Sequence, residues 1–209
     1  MTNAVIVDVV RTAVGKGKPG GALSGTHPVE LLAHVLREIT ARNDLDPALV
    51  DDVIGGCVNQ AGEQALNISR TALLSAGFPE SVPATTIDRQ CGSSQQAAHF
   101  AAQGVIAGAY DIVIACGVES MSRVPMGTSS MGQDASGPGI AARYPEGLVN
   151  QGISAELIAA KWKFDREALD TFSAQSHQRA AEAIAAGFFD KEIVPITVTD
   201  AAGAQVRHT

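Results

Sequence analysis

The sequence predicts an α/β fold with a mostly parallel sheet and helices on both of its faces. Short runs of β-branched and apolar residues alternate along the chain with longer stretches in which apolar residues recur at helical spacing. Glycine or proline follows most of these stretches, as expected where a helix stops and the chain turns toward the next strand. Strands that alternate with helices in this way pair in parallel, because each helix returns the chain to the same end of the sheet.

The composition indicates a globular, acidic chain. With 209 residues, 45% hydrophobic content and a formal net charge of -7, the chain can bury a substantial core. Lys and Arg are scattered among more numerous acids, so we expect no phosphate-tracking surface and no nucleic-acid partner. No apolar stretch reaches membrane-spanning length, and the first three residues lead directly into an apolar run. We therefore expect no membrane contact, no targeting leader and a cytoplasmic location.

The first predicted elements follow each other in simple order. Residues 4–10 are apolar and mostly β-branched except for Asp8, and they predict the first strand. Pro28 suits the first turn of a helix, whose apolar face repeats at helical spacing through Val29, Leu32, Leu36 and Ile39. Asp46 before proline predicts a second, short helix start, and residues 53–58 predict the next buried strand.

The later elements complete a β-α-β unit. Residues 84–87 predict a strand, and an alanine-rich helix follows it and stops at Gly108. Residues 111–116 are continuously apolar after Asp111, which is typical of a strand buried on both faces. Because the alanine-rich helix has almost no polar face, we expect it to be buried between two layers.

Spacing argues against two classes of ligand site. Residues 15–21 are rich in glycine, but a phosphate loop needs a lysine that opens a helix, whereas Lys18 is followed by proline. The three cysteines, Cys57, Cys91 and Cys116, show no metal-ligand spacing, so we expect no metal, and an odd number argues against a disulfide framework. Cys57 and Cys116 lie in apolar, strand-like runs and are expected to be inert core residues.

Cys91 lies where a strand turns into a helix. Backbone N–H groups of a first helical turn have no partners within the helix, and the helix dipole adds partial positive charge there. This environment favours a thiolate and can bind a developing oxyanion, and Gly92 removes bulk beside the sulfur. Cys91 is therefore a candidate nucleophile, with its own backbone N–H as oxyanion donor. By position alone a lone cysteine is as readily a small buried hydrophobe, so its neighbours must decide.

Four segments resemble motifs of the thiolase family, whose members are acetyl-CoA acyltransferases, also called 3-ketoacyl-CoA thiolases. Residues 90–93, Gln-Cys-Gly-Ser, resemble the nucleophile motif, and residues 117–122 resemble the Gly-x-Glu-x-Met-Ser motif. Residues 11–15 resemble Arg-Thr-Pro-x-Gly, with Ala13 where proline is usual. Residues 59–70 resemble the loop that precedes a helix at the family's subunit interface.

The resemblance implies the thiolase fold, in which two similar halves stack as α-β-α-β-α layers around mostly parallel mixed sheets. Residues 1–121 would form the N-terminal thiolase domain with the nucleophile cysteine. Residues 122–209 would form an incomplete loop domain that covers substrate and CoA. The cap at Asp165, the apolar face that follows it and the stop at Gly187 predict a long helix at residues 166–186, and residues 192–196 resemble the family's strand after that helix. The chain would thus be the N-terminal half plus part of the loop domain, and the C-terminal thiolase domain would be absent from it.

The resemblance also suggests substrate contacts in the loop domain. Asn150, Gln151 and Gly152 belong to a stretch that resembles the motif Met-Gly-x-Thr-Ala-Glu, and we expect these residues to contact substrate or CoA. Gln151 stands where methionine is usual, and Asn150 falls where biosynthetic members often have histidine. Because these departures alter the lining of the predicted pocket, the acyl-chain length does not carry over from the family.

The activity implied by the resemblance is thiolytic cleavage of a 3-oxoacyl-CoA through an acyl-Cys91 intermediate, or the reverse Claisen condensation. The form of the loop-domain motif favours degradative use, in fatty acid β-oxidation, over biosynthetic use. CoA is a substrate, no other cofactor is expected, and the partners are acyl-CoA, CoA and further copies of the chain in a homodimer or homotetramer. The family's Gly-His-Pro and Cys-x-Gly motifs do not occur before Thr209, so activity of these residues alone stays an open question.

Two other interpretations remain open. Gln90-Cys91-Gly92-Ser93 also suggests a cysteine peptidase, although papain-like enzymes continue with cysteine and an aromatic residue where this chain has Ser94 and Gln95. The second alternative is a truncated or non-catalytic thiolase-like half that binds acyl-CoA or lipid without turnover. Thiolysis that depends on Cys91 would exclude it.

Overall fold

Alternating strands and helices build the computed structural model, which describes residues 3–200 and 202–209. The helices and strands are α1 (Pro28–Ala41), β1 (Asp52–Gly56), α2 (Ile68–Ser75), β2 (Ala84–Ile87), α3 (Ser93–Ala107), β3 (Val113–Gly117), α4 (Gly137–Arg143), α5 (Gln151–Trp162), α6 (Arg166–Ala185), β4 (Ile196–Thr199) and β5 (Gln205–His208). Short 3-10 turns lie at Pro47–Leu49, Gly62–Gln64 and Thr128–Ser130. The predicted α/β class is confirmed.

β1 is the central strand of a three-stranded sheet with the order β2-β1-β3. Both neighbours pair with β1 in parallel, with Val53 opposite Ala84 and Asp52 opposite Val113. Successive side chains of β1 point to opposite faces of the sheet. Val53 packs with residues of α1 and α2, and Ile54 packs with Ala97 of α3. The sheet therefore carries helices on both faces, as the alternating pattern predicts.

The helix boundaries follow from local chemistry that the sequence displays. His27 caps α1, because its Nδ1 accepts a hydrogen bond from the backbone N–H of Val29 at 3.2 Å. Asp165 caps α6 by accepting from the N–H of Ala168 at 2.8 Å. Gly108 ends α3 in the left-handed conformation, with φ of 76°. A residue without Cβ adopts this conformation at little cost, so the glycine stops the helix where the sequence predicts.

Two buried clusters hold the helices to the sheet. The larger lies between α1, α2 and one face of the sheet and consists of Leu32, Leu36, Val50, Val53, Ala72, Leu73, Phe78 and Val82. The smaller lies under α3 and consists of Ile54, Ala97 and Ala101. Burying each large aliphatic side chain contributes about 1.5–3 kcal/mol, so the larger cluster stabilises the sheet more than the small side chains under α3 do.

Two predictions for the first half are wrong. Residues 4–10 form no strand. The neighbouring Arg11 makes an isolated bridge with Ile193, and Ile6 is 85% exposed. Within the described residues no strand offers these apolar residues a ladder, and a strand exists only with a partner. The helix α3 is also not buried between two layers, since Phe100 is 42% and Ile106 57% exposed on the face turned away from the sheet.

The second half contains elements that the sequence pattern did not predict. α5 was missed because its apolar residues are spread around the helix, so that Ile153, Leu157 and Trp162 are all at least half exposed. The strand expected at residues 192–196 begins at its last residue and pairs in antiparallel fashion with β5. Asp200 forms the turn of this hairpin by accepting hydrogen bonds from two backbone N–H groups that follow it.

The described residues fall into two compact units. One contains the residues up to Met131 together with those from Lys191 onward, and the other is Gly132–Asp190. The functional division expected at residue 121 stays a prediction, and these units do not coincide with it. Among the described helices, none has the length and apolar content needed to cross a membrane.

Two glycines at the carboxyl ends of β1 and β3 determine how close α3 lies to the sheet. A Cβ atom at Gly56 would lie 2.7 Å from Cα of Ser94, and one at Gly117 would lie 3.2 Å from Cβ of Ser94. The first distance is one that real Cβ atoms essentially never show, and the second is tighter than most. The start of α3 therefore rests directly on the sheet edge because both strand positions lack a side chain.

We predict that Gly56→Ala destabilises the fold by about 1–3 kcal/mol, because the added methyl group pushes the first turn of α3 away from the sheet. Urea unfolding followed by circular dichroism measures the change. Gly139→Ala is the matched control, since a Cβ there meets no atom within 4 Å and alanine suits the helix α4. An unchanged unfolding midpoint for Gly56→Ala would show that α3 is not held by this contact.

Candidate active site

Cys91 lies at the carboxyl edge of the sheet, in the turn that joins β2 to α3. This is the edge at which open α/β sheets bind their ligands. The thiol-bearing residue is exposed, unlike Cys57, which is 1% exposed. The position of Cys91 just before a helix is thus confirmed, and the residue is exposed.

The turn before α3 has an unusual backbone. Gln90 has φ of 46°, in the left-handed region that residues with a side chain rarely adopt. Ser93, which is 4% exposed, closes the turn: its Oγ accepts from the N–H of Arg89 at 2.9 Å and donates to the carbonyl of Gln90 at 2.7 Å. The backbone N–H of Gly92 donates to the carbonyl of Arg89 at 3.0 Å. These hydrogen bonds hold the backbone in place on both sides of Cys91.

The N-terminal end of α3, where the helix dipole is positive, has no capping side chain. Gly92 is the N-cap and provides no side-chain hydrogen bond, and the first turn contains no acidic residue. Gly92 and Ser93 donate their backbone N–H groups to carbonyl oxygens within the turn, whereas that of Cys91 donates to no acceptor among the described residues. The helix dipole and this N–H group together suit a developing negative charge beside the sulfur.

A polar network joins the two loops that leave β1 and β3 at the same edge. The Glu119 carboxylate accepts from the backbone N–H of Val58 at 2.7 Å and from Nε2 of Gln64 at 2.9 Å. Gln64 is fully buried, and its Oε1 accepts from the backbone N–H of Ser120 at 2.7 Å. Asn59, 3% exposed, extends the network to the segment at Gly127. The network holds both loops in fixed positions at the sheet edge that bears Cys91.

From the sequence, Glu119 has a place only in a motif, and Asn59 and Gln64 only in the loop at residues 59–70. The available signal was a polar residue shortly after each of two predicted strands. Carboxyl ends of neighbouring parallel strands meet at one edge, so Asn59 and Glu119 come together because β1 and β3 are neighbours in the sheet. The sequence pattern held no comparable signal for the buried Gln64.

The two other cysteines are poor nucleophiles. Burial, together with the carboxylates of Glu119 and Asp88, raises the pKa of Cys57 to about 12. Burial likewise raises the pKa of the Cys116 thiol to about 12. Both residues therefore keep their protons at neutral pH, as expected for core cysteines, although Cys116 as a residue is only half-buried.

The histidines with described contacts serve the scaffold. His27 caps α1, and Nε2 of His34 is 3.1 Å from the carbonyl oxygen of Pro195. His99 is exposed on α3, eight residues beyond Cys91 and about 12 Å along the helix axis. None of the described histidines is hydrogen-bonded to Cys91. Across residues 3–200 and 202–209 no group of three His, Cys, Asp or Glu side chains could hold a metal ion.

The expected loop-domain contacts lie in the second unit. Asn150 caps α5, with its Oδ1 accepting from the N–H of Ile153 at 3.0 Å, and Gln151 and Gly152 open that helix. All three residues are exposed. A cavity in the same unit lies between α5 and α6, and none of these three residues lines it. Their role in binding substrate or CoA stays a prediction.

The chain is similar to thiolases in sequence and in structure. It is 47% identical to a steroid 3-ketoacyl-CoA thiolase of Mycobacterium tuberculosis over 94% of the chain, and 43% identical over its whole length to a 3-ketoacyl-CoA thiolase of Serratia proteamaculans. A crystal structure of the Bacillus anthracis acetyl-CoA acetyltransferase matches the fold with a TM-score of 0.82 at 36% identity, covering all of this chain. The predicted thiolase fold is thereby confirmed.

The matches cover only part of each relative. The chain spans about half the length of the curated relatives, 50% and 53% for the two proteins named above, and 54% of the crystallised acetyltransferase. The family model that matches is the N-terminal domain of thiolase, over residues 4–209. The resemblance to the thiolase family is confirmed, and the cysteine peptidase interpretation is set aside. The chain belongs to the thiolase family.

Proposed function

We propose that the protein is a thiolase-type acyltransferase in which Cys91 carries the acyl group. The observation that carries the proposal is the exposed Cys91 at the open N-terminus of α3, in a chain that matches the thiolase N-terminal domain. The substrate class is a 3-oxoacyl-CoA, and the products are acetyl-CoA and an acyl-CoA shortened by two carbons. The names of the relatives, which are 3-ketoacyl-CoA thiolases, support the degradative direction used in β-oxidation.

The chemistry consists of two acyl transfers. The Cys91 thiolate attacks the 3-carbonyl carbon, and negative charge develops on the carbonyl oxygen, which the backbone N–H of Cys91 can stabilise. The bond between C2 and C3 then breaks, its electron pair stays on C2, and a proton delivered to C2 completes acetyl-CoA. The thiolate of free CoA next attacks the acyl-thioester, so that the shortened acyl-CoA forms and the Cys91 thiolate is released.

Proton transfers to C2 and from the CoA thiol require an acid and a base. We assign neither role to a residue of this chain, because no described histidine is hydrogen-bonded to Cys91. The N-terminal half supplies the nucleophile and the oxyanion donor in this proposal. The relatives are about twice as long as the chain, so their further residues are where acid and base are to be sought.

The remaining parts of the proposal concern binding, assembly and location. Residues 122–209 would cover the substrate, with Asn150, Gln151 and Gly152 against CoA or the acyl group. The chain would form a homodimer or homotetramer through the loop before α2, where Leu66 is 92% exposed with φ of 58°. A cytoplasmic location agrees with a nucleophile that must stay a free thiol.

A non-catalytic half that binds acyl-CoA is the second candidate. The observation that favours it is the absence of a histidine hydrogen-bonded to Cys91 in the part of the chain that is described. The two candidates make different predictions for a single exposure to substrate, because only the first transfers an acyl group to sulfur.

Exposure to acetoacetyl-CoA should transfer one acetyl group to Cys91, because the accessible thiolate at the helix start attacks the 3-carbonyl. Mass spectrometry of the quenched and digested protein measures the transfer. Cys116→Ser is the matched control and should still be acetylated, whereas Cys91→Ser should not. Binding of acetoacetyl-CoA without any adduct on Cys91 would reject the acyltransferase and favour the binding half.

Iodoacetamide at about pH 8 should modify Cys91 about a hundredfold faster than the other two cysteines in the folded protein. With a thiol pKa of about 12 at Cys57 and at Cys116, roughly one thiol in ten thousand is ionised at that pH. Peptide mapping over time gives the three rates, and denaturant should make all three cysteines react alike. Comparable rates in the folded state would contradict the burial that distinguishes the three thiols.

A further inference from the structure

The backbone of Gln90 is held in a conformation that the residue itself disfavours. Its φ of 46° brings Cβ close to backbone atoms, a cost that glycine does not have. The conformation persists only where the surroundings impose it, and such residues are concentrated at functional sites. Because Gln90 directly precedes Cys91, its backbone direction determines where the thiol and the N–H of Cys91 point.

One side chain imposes this conformation from upstream. Oδ1 of Asp88 accepts a hydrogen bond from the backbone N–H of Gln90 at 2.7 Å, and Oδ2 accepts from Nε2 of the same residue at 3.3 Å. The two carboxylate oxygens thus hold Gln90 by its main chain and by its side chain. Asparagine can accept the first of these bonds as well, whereas alanine can accept neither.

Asp88 has little part in the core. The residue is exposed, and the buried Ser93 hydroxyl, 3.5 Å from Oδ1 of Asp88, has a second acceptor in the carbonyl of Gln90. Removal of the Asp88 carboxylate therefore leaves no cavity and no buried polar group without a partner. An effect of Asp88 on overall stability can therefore be distinguished from an effect on the turn before α3 alone. Downstream, the buried Ser93 bonds to the N–H of Arg89 and the carbonyl of Gln90 and so fixes the other flank of the turn.

We propose that Asp88 is a positioning residue for Cys91. Its carboxylate accepts hydrogen bonds from the main-chain N–H and the side-chain amide of Gln90 and keeps Gln90 in the left-handed conformation. Cys91 and its backbone N–H are thereby directed at the substrate. The part of the inference that concerns the substrate rests on the proposed function. The part that concerns the turn rests on the geometry alone. Asp88 acts through Gln90 and does not itself touch reacting atoms.

A cycle of variants separates this role from a general effect on stability. Asp88→Ala removes both hydrogen bonds, and Asp88→Asn keeps the one to the main chain. Gln90→Gly removes the steric cost of the left-handed conformation, so that residue 90 can adopt it without the Asp88 carboxylate. Asp46→Ala is the matched control. Asp46 makes the same kind of bond two residues ahead, from the N–H of Ala48 to Oδ1 at 2.9 Å, but at the start of a 3-10 turn before β1.

The first readout is hydrogen exchange of the Gly92 and Ser93 amides, whose bonds close the turn whether or not the protein has enzyme activity. We expect about tenfold faster exchange in Asp88→Ala, no change in Asp88→Asn or Asp46→Ala, and near-normal exchange when Asp88→Ala is combined with Gln90→Gly. Unchanged exchange in Asp88→Ala, or no rescue by Gln90→Gly, would overturn the proposal.

The second readout is the rate at which acetoacetyl-CoA acylates Cys91, compared with the rate at which iodoacetamide alkylates it. Acylation needs the aimed N–H, so we expect Asp88→Ala to slow it about tenfold while alkylation changes little. An Asp88→Asn variant as slow as Asp88→Ala would assign the effect to charge and overturn positioning. Wild-type protein that is not acylated would reject the proposed function, while the exchange experiment still decides the role of Asp88.

Discussion

The close contact between the first turn of α3 and the sheet edge is the constraint on which the site depends. Gly56 and Gly117 lack side chains where Ser94 rests on the strands, so the helix begins directly at the carboxyl end of the sheet. A helix that began farther out would direct its dipole into solvent, where water screens it. Close packing therefore places the positive end of α3, and with it Cys91, at the edge where α/β folds bind their ligands.

Polar bonds hold the loops around this edge. Glu119 and the buried Gln64 connect the loop after β1 with the loop after β3, and two of these bonds satisfy backbone N–H groups, those of Val58 and Ser120. The same carboxylate helps to keep Cys57 protonated. One network thus fixes the frame of the site and adds to the burial that raises the pKa of Cys57.

Sequence reasoning predicted elements whose signals are local. The strand at residues 84–87, the cap at Asp165 and the stop at Gly108 depend on a few neighbouring residues, and all three are confirmed. It failed where a pairing strand from elsewhere in the chain decides the structure. Residues 4–10 have the composition of a strand, but no strand in the described residues pairs with them. The motif singled out Cys91 as the candidate nucleophile, whereas the left-handed conformation of Gln90 was not predictable, since no local preference of glutamine indicates it.

The central claim is that the start of α3 makes Cys91 an acyl acceptor and its own N–H the oxyanion donor. A crystal structure of the protein frozen after exposure to acetyl-CoA tests this most directly. The account predicts an acetyl group bonded to the Cys91 sulfur, with its carbonyl oxygen within about 2.7–3.1 Å of the backbone nitrogen of Cys91. An unmodified Cys91 beside bound acetyl-CoA, or an acyl oxygen turned away from that nitrogen, would contradict it.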